Sequence, residues 1–62
     1  MTYGNFDVIT IEADTNVINH NYCNTLREAL AVEKWAHDHL PIGSSIIITP
    51  LNPKAAAALS TY

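Results

Sequence analysis

The sequence predicts an α+β fold, a small two-layer domain with a β-hairpin, then one amphipathic helix, then a third strand and a short C-terminal helix. Three observations lead to this prediction: two segments rich in β-branched residues before residue 24, a capped helical pattern from Thr25, and three consecutive isoleucines after residue 45. The 62 residues contain no internal repeat and no linker. We therefore expect one domain over residues 1–62.

The first half of the sheet is predicted to be a hairpin. Residues 6–13 (FDVITIEA) are rich in β-branched side chains and partly alternate in polarity, as expected of a strand with one face on a core. Residues 13–16 (ADTN) are turn formers, and residues 17–23 (VINHNYC) form the second strand. Asn19 and Asn21 alternate in that strand. Because Asn is depleted in strands, we expect it to be an exposed edge strand.

The helix is predicted from its cap and its periodicity. Thr25 and Glu28 have the spacing of a capping box, so the helix begins there. Pro41 and Gly43 end it. The apolar side chains recur with the 3.6-residue period of a helix that lies on a sheet, and they are Leu26, Ala29, Leu30, Val32, Ala36 and Leu40.

The C-terminal third is predicted to hold a strand and a short helix. Ile46, Ile47 and Ile48 are bounded by turn residues and predict a central strand with both faces at least partly covered. The sequence does not determine whether this strand is parallel or antiparallel to its neighbour, or which strand it lies beside. Asn52-Pro53 has the pattern of a helix cap followed by proline at the first helical position. The helix after it is too short to be stable alone, so it packs through Leu51 and Leu59 or frays.

The composition favours a protein partner in the cytosol. Six Asp or Glu against three Lys or Arg give a formal net charge of −3, whereas nucleic-acid binding depends on cationic side chains. The single cysteine excludes an internal disulfide. The start of the chain has no basic region followed by an apolar segment, and no apolar run approaches the ~20 residues of a membrane span. We therefore expect no direct nucleic-acid and no membrane interaction.

Candidate catalytic and metal sites fail on geometry. His37 and His39 are two apart on a helix, so their side chains point about 200° apart. Glu33 and His37 are one turn apart, which fits an ordinary pair or two ligands, but no third ligand follows from the sequence. Cys23 and His20 are three apart on a strand and lie on opposite faces. We expect no enzyme, no metal and no cofactor.

Trp35 and three acids are the predicted partner-binding residues. Trp35 lies off the apolar stripe, as an interface anchor would, although an indole lying flat over the helix edge and Ala31 is an equal alternative. The acids that would complement a basic groove are Glu28, Asp38 and Asp14. DNA mimicry by all the acids is less favoured, because Arg27 and Lys34 interrupt the acidic helix surface.

Several residues carry a resemblance to a known family. Tyr22, then Thr25-Leu26, Glu28-Ala29-Leu30, Trp35 and Pro41-x-Gly43 follow the order seen in the coliphage inhibitor of host RNA polymerase, and the chain resembles that family from about Phe6 to Thr49. The spacer between Trp35 and Pro41 is longer here, and isoleucines occupy the final strand, where the family has basic residues. The same outline also resembles small anti-CRISPR proteins.

The resemblance implies a small phage protein that inhibits a host complex by binding it stoichiometrically. Host RNA polymerase is the target that it indicates first, and an antiviral effector such as a CRISPR complex is the alternative. A third reading, from a different class, is a structural or accessory subunit that self-assembles into a homo-oligomer through an exposed strand.

Overall fold

The computed structural model describes residues 4–62 and has the predicted α+β architecture. Both helices pack on one face of a three-stranded sheet, so the domain has two layers. The elements, in chain order, are β1 (Phe6–Ile11), β2 (Ile18–Cys23), α1 (Leu26–His39), β3 (Ser45–Pro50) and α2 (Pro53–Ser60).

The strand order corrects one prediction. The sheet is antiparallel throughout with the order β2-β1-β3, so β1 is central and the isoleucine strand β3 lies at an edge. Side chains alternate between the faces of a strand. Ile46 and Ile48 pack against the core, while Ile47 on the other face is 47% exposed. Three isoleucines in a row therefore occur here in an edge strand, and the prediction of a central strand was wrong.

The hairpin turn is longer than the sequence suggested. β1 ends at Ile11 rather than at Ala13, whose amide donates to the Ser44 hydroxyl (3.0 Å). Asn16 takes the left-handed conformation (φ 59°), which asparagine tolerates better than most residues. Its amide donates to the Glu12 carbonyl (2.9 Å). The turn thus reverses the chain without a glycine.

The limits of α1 follow from its caps. The hydroxyl of Thr25 accepts a hydrogen bond from the Glu28 amide (3.1 Å) and donates to the Glu28 carboxylate (3.2 Å), which confirms the predicted start. Leu40 at the other end has an extended backbone (ψ 154°). It precedes Pro41, whose ring disfavours the helical conformation in the residue before it. The helix therefore ends at His39.

The core lies between β1 and the two helices. Val8 is fully buried, and Phe6, Cys23, Ala29 and Ala55 are buried around it. Partly buried apolar side chains complete this cluster, and they are Leu26, Val32, Ile46, Ile48 and Leu59.

The predicted C-terminal helix is present as α2. Asn52 accepts from the Ala55 amide (2.7 Å), and Pro53 occupies the first turn. Leu59 packs against the core as predicted, whereas Leu51 is exposed and does not anchor the helix. One predicted anchor of the two was therefore correct.

Cys23 is a buried thiol of low expected reactivity. Burial raises the pKa of Cys23 above its ordinary value of 9.0, and the nearby negative charges of Glu28 and Asp7 raise it further. The thiolate is the nucleophilic form. We expect native protein at pH 8 to react with an aromatic disulfide reagent much more slowly than urea-unfolded protein does. Equal rates in the two states would contradict this prediction.

The same shift predicts a loss of stability in alkali. The unfolded thiol releases its proton above pH 9.0, whereas the folded thiol with its raised pKa still holds it. The folded state then binds more protons than the unfolded state, so the free energy of unfolding falls as the pH rises. Urea unfolding at pH 8 and pH 10 measures this fall. The fall should be smaller in Cys23→Ala, which shares every other titrating group.

Candidate protein-binding surface

Trp35 is a large apolar side chain held at the surface of α1. The indole is 57% exposed, as its position off the apolar stripe predicts. His39, one turn later, stacks on it with ring centroids 4.6 Å apart and planes 12° apart. Nδ1 of His39 donates to the Trp35 carbonyl (2.8 Å), which fixes the imidazole. The indole thus has one face supported by His39, and more than half of its surface is accessible to a partner.

Two of the predicted acids lie on the same side of the helix as Trp35. The residues Glu28, Ala31, Trp35 and Asp38 have the 3-4-3 spacing of one helical stripe, and all four are exposed. At 1.5 Å per residue, Glu28 and Asp38 are about 15 Å apart along the axis. A carboxylate therefore stands on each side of the apolar centre formed by Ala31 and Trp35.

The edge strand β2 adds polar groups beside this stripe. Asn19 and Asn21 lie on the face of the sheet that carries the core, yet both are exposed, because α1 leaves this edge uncovered. Asn21, Val32 and Trp35 line a groove between β2 and α1. We call the stripe on α1 together with Asn21 the Trp35 surface.

Asp14 is the predicted site residue that lies apart. It is exposed in the turn between β1 and β2, not on α1. The Ala13–Ser44 hydrogen bond places that turn near the segment that follows α1, so Asp14 is at the same end of the molecule as Asp38. The Trp35 surface consequently contains three of the four predicted residues, and Asp14 stands beyond its end.

A buried acid on the other face of the sheet was missed by the sequence analysis. Asp7 is 6% exposed, and its Oδ2 accepts a hydrogen bond from Nδ1 of His20 at 2.7 Å. Oδ1 is also buried and has no hydrogen-bond partner among residues 4–62. The pairing of Asp7 with His20 depends on the strand register, in which Ile9 lies opposite His20. The sequence pattern does not determine the length of the turn that sets this register, so it could not reveal the contact.

Among residues 4–62, no three His, Cys, Asp or Glu side chains are grouped in a way that could hold a metal ion. Within the same residues, neither helix is long and apolar enough to cross a membrane.

No protein-family model, no curated protein and no solved structure matches this chain.

Proposed function

We propose that this protein is a phage inhibitor that binds a host protein complex in the bacterial cytoplasm at a 1:1 ratio and blocks it sterically. Host RNA polymerase is the proposed target, because the family that the chain resembles inhibits that enzyme. The observation that supports the proposal best is the 57% exposure of Trp35 between two carboxylates. A supported aromatic in the centre of a surface is the usual anchor of a protein interface.

The charges on the Trp35 surface fit a basic groove. Glu28 and Asp38 would approach cationic side chains of the target, which speeds association and fixes orientation more than it adds affinity. Grooves that hold nucleic acid are lined by such cations. An inhibitor that occupies a nucleic-acid groove needs no catalytic group, and a CRISPR effector, the alternative target, offers the same kind of groove.

Self-assembly is the second candidate function. β2 and β3 are both edge strands, and the first five residues of β2 are all exposed. An exposed edge offers unpaired backbone groups to another copy. Sedimentation of the purified protein distinguishes the two candidates, since a stable oligomer favours self-assembly.

A transcription assay tests the proposed target directly. We expect promoter-dependent transcription by purified bacterial RNA polymerase to fall with added protein and to reach its minimum near one molecule per enzyme. Undiminished transcription at excess protein would rule out this target. The purified CRISPR effector would then be assayed in the same way for loss of DNA binding.

A double variant tests how much the carboxylates of Glu28 and Asp38 contribute to association with the target. Glu28→Gln with Asp38→Asn keeps the shape of the Trp35 surface, and glutamine preserves the capping box. We expect this double variant to associate more slowly at low salt, with roughly tenfold or smaller loss of rate, and to lose most of its salt dependence. An unaltered association rate and salt dependence would remove these two acids from the interface.

A further inference from the structure

β2 is an edge strand whose outer side lies next to the Trp35 surface. The Glu12 amide donates to the Val17 carbonyl (3.0 Å), which starts the β1–β2 ladder. Both backbone groups of a residue in an antiparallel ladder point to the same side, and successive residues alternate. The N–H and C=O groups of Ile18 and His20 therefore point away from β1, and no backbone hydrogen bond joins them to another element within residues 4–62. Groups in this arrangement select another strand as their partner.

The space beside β2 has the position that a fourth strand would occupy. A groove between β2 and α1 is lined by Asn21, Ala31, Val32 and Trp35, and it continues along β2 past Asn19. A strand paired with β2 lies about 4.8 Å outside it. Its side chains on the side of α1 stand next to Asn19 and Asn21, which brings one of them against the exposed indole. An added strand thus fills the groove as well as pairing the backbone.

The charges around the groove select a cationic segment. Glu28 and Asp38 flank Trp35, Glu12 lines the groove, and none of the three Lys and Arg residues lines it. A second copy that paired through β2 would bring two such groups of acids together, so charge disfavours it. Glu28 and Asp38 are about 15 Å apart along the helix, and four residue steps of a strand cover about 13 Å. Cations at positions i and i+4 of a strand match this spacing.

We propose that the Trp35 surface binds an extended segment of its protein partner, which pairs with β2 as a fourth strand. The segment presents to α1 a Lys or Arg at position i, an apolar residue at i+2 and a second Lys or Arg at i+4. The apolar side chain packs on the Trp35 indole, and the cations reach Glu28 and Asp38. The inference rests on the proposed function for the role of this surface, and it adds the conformation and the side-chain pattern of the bound segment.

Two peptides that differ only in their backbone donors test the strand pairing. Acetyl-Lys-Thr-Val-Thr-Lys-amide has the proposed pattern, and its control carries N-methyl groups on both threonines, which are the residues that face Ile18 and His20. Each peptide is titrated into the full-length protein and followed by NMR. We expect the first peptide to shift the amide signals of Ile18 and His20 and the indole signal of Trp35. The control should bind roughly tenfold more weakly or worse, because it lacks two hydrogen bonds.

A charge-reversed peptide tests the side-chain pattern. Acetyl-Glu-Thr-Val-Thr-Glu-amide keeps the backbone and the valine but places like charges opposite Glu28 and Asp38. We expect it to bind severalfold more weakly than the lysine peptide at low salt, and we expect the difference to shrink as salt is added. Equal affinity of the lysine and glutamate peptides at low salt would overturn the cationic pattern.

Two synthetic proteins place the same change on opposite edges of the sheet. N-methylation of Ile18 blocks the outer side of β2. N-methylation of Ile46 blocks that of β3, because the Leu51 amide donates to the Asn5 carbonyl (2.9 Å) and the register then points the amide of Ile46 away from β1. We expect the Ile18 protein to lose binding of the lysine peptide and the Ile46 protein to retain it. Circular dichroism establishes that both proteins are folded.

Four outcomes would overturn the inference. The first is equal affinity for the methylated and unmethylated peptides, or no binding of either, and the second is a set of shifted signals confined to β3 and α2. The third is a dimer paired through β2. The fourth is a set of nuclear Overhauser contacts in the free protein between residues 1–3 and Ile18 or His20, which would assign this edge to the chain's own N-terminal segment.

Failure of the inference and failure of the proposed function give different results. Inhibition of transcription by a protein that shows any of these four outcomes would overturn the strand pairing alone. Peptide binding at β2 by a protein that leaves transcription undiminished would support the strand pairing and overturn the proposed target alone.

Discussion

Val8→Ala is expected to lower the free energy of unfolding by about 2–3 kcal/mol, because the lost methyl groups leave a cavity in addition to their lost burial. Val8 is the largest fully buried side chain among the described residues, with 0% exposure. It lies on the central strand between Asn21 of β2 and Ile48 of β3, beneath the helices. A domain of this size has a free energy of unfolding near the lower end of the usual ~5–15 kcal/mol. The melting temperature should therefore fall by roughly 10–20 °C.

The matched control for this truncation is Val17→Ala. Val17 is 48% exposed and lies just before β2, so the same two methyl groups are removed from the surface. We expect the control to stay within about 0.5 kcal/mol of the wild type. Urea unfolding followed by circular dichroism at 222 nm measures both variants. A similar loss in both variants would mean that the core is not centred on β1.

The elements with strong local signals could be predicted from the sequence. The helix start at Thr25 and the cap at Asn52 are each set by a side chain that bonds the backbone three residues later, so neither depends on the rest of the fold. The apolar periodicity of α1 also predicted the buried side of the helix, where Ala29 and Ala36 are fully buried. Local chemistry thus determines the helices and their orientation.

Strand order could not be predicted in the same way. A run of isoleucines is compatible with a central strand and with an edge strand, because only the packing of neighbouring elements decides how much of each face is covered. In the structure β1 pairs with β2 and β3, although its apolar run is interrupted by Asp7 and Thr10. Both of these polar side chains are buried. β1 is therefore the central strand, hydrogen-bonded to a strand on each side, although it contains two polar residues.

The candidate surfaces show the same division. The exposure of Trp35 follows from its position around the axis of α1, which can be calculated from the sequence. The contact between Asp7 and His20 follows from the strand register, which depends on the turn containing Asn16. Asn16 has a left-handed backbone conformation, and because the turn contains no glycine, the sequence does not indicate its geometry. Sites within one helix could therefore be predicted, and a site that spans two strands could not.

Trp35→Ala is expected to weaken binding to RNA polymerase by about 2 kcal/mol or more, which is roughly a 30-fold increase in Kd. The indole stacks on the His39 imidazole, which is fixed by donating from Nδ1 to the backbone carbonyl of Trp35, so little side-chain freedom remains to be lost on binding. A larger part of the free energy gained by burying the apolar surface of the indole therefore contributes to affinity. Equilibrium binding to purified polymerase, measured by fluorescence anisotropy of a dye at a position remote from α1, gives the Kd of each variant.

Two comparisons separate an anchoring role of Trp35 from a structural one. The first is Tyr62→Ala, which removes another exposed aromatic, at the C-terminus, and should leave the Kd unchanged. The second is the unfolding of Trp35→Ala itself. Because the side chain is 57% exposed, the variant should keep its helical circular dichroism and lose much less stability than Val8→Ala does. Unchanged affinity in Trp35→Ala would remove the indole from the interface, whereas lost affinity together with lost helix would make its role structural.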